Sequence, residues 1–174
     1  AVGYQAGLSV TTGVQNTLIG GIAGDALTTG ESNVALGYAA LSSDDVGNHT
    51  VAIGHGALFN QNYSSATDSN NTAIGYNVGN ALTTGINNTL TGAFSGDAIT
   101  TGGSNTALGT YALSANTTAS SNTALGFSAL EANTTGINNT GVGWSAAKAI
   151  TTGTRNVALG YAALDADTLG SKST

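Results

Sequence analysis

The sequence predicts an all-β chain: a parallel β-solenoid, or β-roll, of ten coils of roughly 17 residues. Three observations carry that expectation. Ten glycines (Gly3, Gly20, Gly37, Gly54, Gly75, Gly92, Gly109, Gly126, Gly143 and Gly160) recur every 17 residues, with one interval of 21 between Gly54 and Gly75. Each closes a version of the phrase Asn-Thr-Ala-Leu-Gly, as in Asn105 to Gly109. A helix does not fit, because the apolar spacing is not that of a helix and each of its repeated glycines would cost about 1 kcal/mol in a helix interior.

The coil is numbered from its asparagine, so that Asn16, Asn33, Asn71, Asn88, Asn105, Asn122, Asn139 and Asn156 stand at position 1. Position 2 is Thr or Val, position 3 mostly Ala, position 4 nearly always Val, Ile or Leu, and position 5 Gly. β-Branched and small residues alternate and a glycine ends the run, which describes a short strand and a tight turn. Neither side of that strand is polar. It should be covered on one side by its own coil's lumen and on the other by something else.

Position 6 is often aromatic (Tyr4, Tyr38, Tyr76, Phe127, Trp144, Tyr161), and a core or subunit-interface column is favoured over a sugar-stacking stripe. Positions 13 to 15 read Thr-Thr-Gly in most coils, a turn signal before the next Asn. Positions 9 and 12 trade bulk. Gly24, Gly79 and Gly96 go with Leu27, Leu82 and Ile99, whereas Leu41, Leu58, Leu113 and Leu130 go with Asp44, Gln61, Asn116 and Asn133. Both positions therefore point at one close-packed cavity that holds one bulky side chain per coil. Stacked about 4.8 Å apart, ten coils make a rod roughly 45–50 Å long. The position-1 asparagines should form a ladder of side-chain amides, each bonded to the one above and below.

Composition narrows the function classes. Nine acidic and three basic residues give a net charge of −6, which argues against nucleic acid and anionic membrane surfaces. No apolar run is long enough to span a bilayer. The chain has no cysteine, so disulfides and thiolate metal sites are excluded. It starts in mid-repeat at Ala1 without Met, as expected for one repeat domain, residues 1–174, cut from a longer fibre protein.

The phrases Asn-Thr-Ala-Ile-Gly-Tyr (71–76) and Asn-Val-Ala-Leu-Gly-Tyr (33–38 and 156–161) resemble the head repeats of trimeric autotransporter adhesins of the YadA-like type. The cadence Leu-Thr-Thr-Gly-x-Asn-Asn-Thr (82–89) is similar to repeats of phage tail fibres and bacterial surface fibres. The resemblance implies a left-handed β-roll, assembled as a homotrimer, in an extracellular location on a virion or cell surface. The 17-residue coil departs from the shorter adhesin repeat.

The single longer interval places an insertion at residues 60–69, in the turn region. Insertions in solenoids go to surface loops, so Phe59, Asn60, Asn62, Tyr63 and Asp68 are the candidate contacts for a glycan or protein receptor, with Tyr63 expected to be exposed. His49 and His55 read as surface or turn histidines, and Asp44, Asp45, Asp165 and Asp167 as solvated carboxylates without a calcium-binding pattern. No catalytic arrangement, metal site or cofactor motif stands out.

The leading function is therefore a structural and adhesive segment of a trimeric extracellular fibre, not an enzyme. The alternative is an ice-binding solenoid presenting threonines from positions 2, 13 and 14, although adjacent threonines of a strand point to opposite faces. A glycan-processing β-helix would need paired carboxylates or a basic cluster, and the chain has only three basic residues.

Overall fold

A computed structural model describes residues 1–173; Thr174, the last residue of the expected repeat domain, lies outside them. Among the described residues there is no helix, and the chain winds as a parallel β-solenoid. Its strands are β1 (Thr17–Ile19), β2 (Val34–Leu36), β3 (Gly47–Asn48), β4 (Val51–Ile53), β5 (Thr67–Asp68), β6 (Thr72–Ile74), β7 (Thr89–Thr91), β8 (Thr106–Leu108), β9 (Thr123–Leu125), β10 (Thr140–Val142) and β11 (Val157–Leu159). Nine of them form one sheet in the order β1-β2-β4-β6-β7-β8-β9-β10-β11, and Val2 bridges to Ile19 at its head. The register is one coil per rung: Thr106 faces Thr89 on one side and Thr123 on the other. β3 and β5 pair separately, beside the insertion.

The sequence pattern maps directly onto the two sides of each strand. Position 3 points into the lumen, where Ala35, Ala52, Ala73 and Leu90 are fully buried. Positions 2 and 4 point outward. The exchange between positions 9 and 12 is steric, as expected. A Cβ on Gly24 would lie 2.8 Å from Leu18 and 2.9 Å from Leu27, and one on Gly96 would lie 2.8 Å from Ile99. Where position 9 is Leu, Asp44, Asn116 and Asn133 at position 12 are also buried and close the following turn, as when Asn116 Oδ1 accepts from Ala119 N at 3.0 Å; Gln61 is buried but bonds elsewhere.

The position-5 glycines hold φ between 121° and 146°, a region L side chains avoid. They also lie against the next coil, so that a Cβ on Gly92 would sit 2.7 Å from the Gly109 carbonyl. Both reasons make Gly the residue that sets the period.

The asparagine column differs from the expected amide-to-amide ladder. Asn105 Nδ2 donates to the Ala119 carbonyl of its own coil (2.9 Å), while its Oδ1 accepts from the backbone N–H of Asn122 in the next coil (3.0 Å). The same pair of bonds recurs at Asn33, Asn71, Asn88, Asn122, Asn139 and Asn156. Direct amide-to-amide bonds join only some neighbours, such as Asn156 to Asn139 at 3.1 Å. The backbone groups take precedence because each buried N–H and C=O needs a partner.

Candidate functional site

The outward side of the main sheet is the surface most unlike the rest. Leu108 at position 4 is 52% exposed, and Ile19, Leu36, Ile74 and Leu159 stand in the same outward column. Thr or Val at position 2 runs beside it. Every backbone N–H and C=O of these three-residue strands faces along the stack, so the side chains alone define the outward surface. Of the nine acidic and three basic residues, none stands at positions 2 to 7 of any coil.

An aromatic file borders this surface. From Tyr38 to Tyr161 each coil contributes one ring, and successive centroids lie 4.9–6.1 Å apart. His55 belongs to it, and in two coils the ring comes from position 7 (Phe94, Tyr111) because position 6 is small (Ala93, Thr110). Gly21–Ile22 shows the same exchange of bulk. The sequence reading, confined to position 6, missed these members; the alternation of size between positions 6 and 7 was the available signal.

Of the two roles expected for this column, core or subunit interface, the first is corrected: within the chain Tyr38, Tyr76, Tyr111, Phe127 and Trp144 are exposed. Many of the rings stack face to face on their neighbours, at interplanar angles of 5° for Phe94 on Tyr111 and 7° for Trp144 on Tyr161. Stacked faces are not free for a sugar ring, so the file presents mainly edges.

The insertion is organised around a buried network rather than an exposed tyrosine. Thr50 stands where the other coils carry Asn, and several residues divide that asparagine's work. Thr50 N donates to Asn33 Oδ1 (2.9 Å), and Ser69 Oγ accepts the Asn71 N–H (3.2 Å). Gln61 Nε2 donates to Asp44 Oδ2 (2.7 Å) and Thr50 Oγ1 (3.0 Å), while Gln61 Oε1 accepts from Asn71 Nδ2 (2.9 Å). Tyr63, expected at the surface, is only 6% exposed and donates its hydroxyl to the Gly85 carbonyl (2.9 Å). Burial, with the Asp44 charge adding, raises that hydroxyl above the ordinary tyrosine value.

Asp44 is likewise corrected from a solvated to a fully buried carboxyl. Burial pushes it above the usual carboxylate range, and the neighbouring Asp45 adds, against the lowering by hydrogen bonds from Gln61 and Gly47. The other candidates separate. Asn60, Asn62 and Asp68 are exposed, Phe59 is half-buried, and Asp68 pairs with His49 at 3.2 Å. Asp165 is exposed, whereas Asp45 and Asp167 are half-buried. Among the described residues no three of His, Asp and Glu cluster as metal ligands, and no helix is long and apolar enough to cross a membrane.

The threonines at position 13 are also committed. Thr83, Thr100, Thr117 and Thr134 each donate a hydroxyl to the carbonyl one coil further on, at 3.1–3.3 Å. Comparison with known proteins returns no matching family model, no similar curated protein and no similar solved structure. The functional reading therefore stands on the surface itself.

Proposed function

We propose that this chain is a structural and adhesive segment of a trimeric extracellular fibre, a phage tail fibre or bacterial surface adhesin, that serves attachment to a host or surface and has no enzymatic activity. The observation that carries the reading is the outward sheet face: regular, free of charged side chains and continuous over nine strands, with mostly Ile, Leu or Val at position 4 beside Thr or Val at position 2. At about 4.8 Å per rung and a few residues of width, it offers on the order of 500 Å². That is at the upper end of the largest apolar patch on an ordinary monomer, about 300–600 Å², and short of the roughly 800 Å² per partner of a standard interface, so in this reading the aromatic file beside the face shares the contact. A homotrimer of left-handed rolls, as the resembled adhesin repeats imply, gives each copy two neighbours and covers the face.

In this reading the insertion faces outward from the fibre. Asn60, Asn62 and Asp68, with Phe59 beside them, are the groups available to a glycan or protein receptor, and Tyr63 anchors the loop from within. Ice binding has less support, because position-13 hydroxyls are occupied and outward threonines at position 2 mostly sit beside Ile or Leu at position 4. Mass measurement in solution tests the proposal. The expected particle is three times the 16.9 kDa chain; a monodisperse monomer at micromolar concentration would overturn it.

A further inference from the structure

We propose that the face of the last coil is a docking surface for the first coil of a second copy, so that copies of this segment join head to tail and continue one solenoid. The contact is on the end of the rod rather than its side, and it does not depend on the lateral assembly proposed above. Its phase is set by the chain itself. Ser173 already holds position 1 of a further coil: its N–H donates to Asn156 Oδ1 (3.0 Å), and its carbonyl accepts from Val157 N (2.8 Å). At the other end Val2 holds position 4 and bridges to Ile19. Read across the junction, Ser173-Thr174 followed by Ala1-Val2-Gly3-Tyr4 is the repeat phrase at positions 1 to 6. A second copy thus enters at the position where the first leaves off.

The backbone groups of the two end faces match. Inside the stack the N–H groups of positions 5 and 7 donate to the preceding coil, as Gly160 does to Val142 and Ala162 to Trp144 (both 2.8 Å). The N–H groups of positions 9 and 11 donate to the following coil, as Gly7 does to Ala23 (3.0 Å) and Ser9 to Asp25 (3.1 Å). Among the described residues the carbonyls of Leu159 and Tyr161 and the N–H groups of Leu164 and Ala166 have no such partner. The first coil leaves open their complements: the N–H groups of Gly3 and Gln5 and the carbonyls of Ala6 and Leu8. Unpaired strand edges of this kind are templates for another chain.

The side chains match as well. Val157, Ala158, Leu159, Ala163 and Leu164 line a recess of about 390 Å³ at the last coil. Position 9 runs in consecutive pairs, Gly7 and Gly24, Leu41 and Leu58, Gly79 and Gly96, Leu113 and Leu130, then Ala147 and Leu164. A second copy sets Gly7 on Leu164, which is the junction already formed where Gly79 follows Leu58 and a Cβ on Gly79 would lie 2.9 Å from the Leu58 side chain. Gly160, which alone of the position-5 glycines has nothing within 4 Å of an added Cβ, receives Gly3. Tyr161 and Tyr4, both exposed, come into line at position 6. Residues 1–17 carry no charged side chain to oppose the approach.

One coil face is smaller than a standard interface, so the joining is weak and appears as concentration rises above the micromolar range. Small-angle scattering of the 174-residue chain over increasing concentration tests it, because it reads length and cross-section separately. The expected result is growth in steps of roughly 45–50 Å at constant cross-section. Leu164→Glu and Val10→Glu each put a carboxylate where water reaches it in one copy and a docked coil would bury it, so each alone should stay one unit long. Mixed together, they retain one intact face each and should form pairs and nothing longer, as a head-to-tail contact requires. Thr135→Glu, with the same charge on an exposed turn, should lengthen like the unaltered chain. Circular dichroism shows whether the coils of each variant are intact. A length of one unit at every concentration overturns the inference, and a three-chain cross-section in that experiment leaves the fibre reading standing. Lengthening that survives in both folded end variants, or folded end variants that form no pairs when mixed, also overturns it. Lengthening with a one-chain cross-section supports the inference and overturns the lateral trimer.

Discussion

The seventh coil and the fourth solve the same problem in different ways. In the seventh, the one amide of Asn105 closes its own coil at Ala119 and receives the next coil's backbone at Asn122. In the fourth, Thr50 is too short for both tasks: Ser69 Oγ takes the Asn71 N–H, Gln61 bridges Asp44, Thr50 and Asn71, and Tyr63 adds a second donor to the Gly85 carbonyl that Asn71 also reaches, all three from the insertion. What repeats along this molecule is thus a set of satisfied backbone groups, and asparagine is its most compact solution. The insertion reads first as a splint that closes the stack, with its exposed tip left over for contact.

The largest expected effects come from the glycines, and the two ends of the repeat differ. Gly109→Ala combines a forbidden φ with a Cβ 2.6 Å from the Gly126 carbonyl carbon, and should cost more than about 3 kcal/mol in denaturant unfolding. Gly160 has the same backbone but nothing within 4 Å of an added Cβ, so Gly160→Ala should cost only the strain, about 1–2 kcal/mol. Equal losses would show that close stacking of coils is not what selects glycine.

The amide bonds come next. Asn105→Ala leaves the Asn122 N–H unpaired in the interior and should cost about 2–3 kcal/mol. Tyr63→Phe removes one hydroxyl from a network with other members and should cost about 1 kcal/mol. If Tyr63→Phe proved the more damaging, the insertion would be the keystone of the stack rather than its repair.

The smallest effect is in pH dependence. The folded-state carboxyl of Asp44 is raised above its unfolded value, so its contribution is fully present below the ordinary Asp pKa and declines as pH rises through the raised value. Unfolding free energies at pH 4 and pH 7 should therefore show the unaltered chain losing stability relative to Asp44→Asn. Asparagine already fills the equivalent position at Asn116 and Asn133 and bonds the same turn. A relative gain from pH 4 to pH 7 would contradict the burial argument.

Much of the fold was legible because the period is enforced by local sterics. The glycine interval announced the coil, the β-branched run the strand, and the exchange between positions 9 and 12 the shared lumen. The candidate site was less legible. Tyr63 looked like a surface aromatic in a polar loop because nothing local shows that Thr50, 13 residues earlier, leaves a buried vacancy to be filled. Asp44 looked solvated beside Asp45 for the same reason: its partner Gln61 is one coil away. The aromatic file was half seen, since two of its rings shift by one residue and keep their place only in three dimensions.

The central claim is that the charge-free outward face joins copies of the chain. The most direct measurement is sedimentation of a face variant, Leu108→Lys with Leu125→Lys, beside a control with the same added charge on exposed turn threonines, Thr118→Lys with Thr135→Lys. The control should stay trimeric while the face variant falls to the monomer with its coils intact. Loss of the trimer in the control and its survival in the face variant would contradict it.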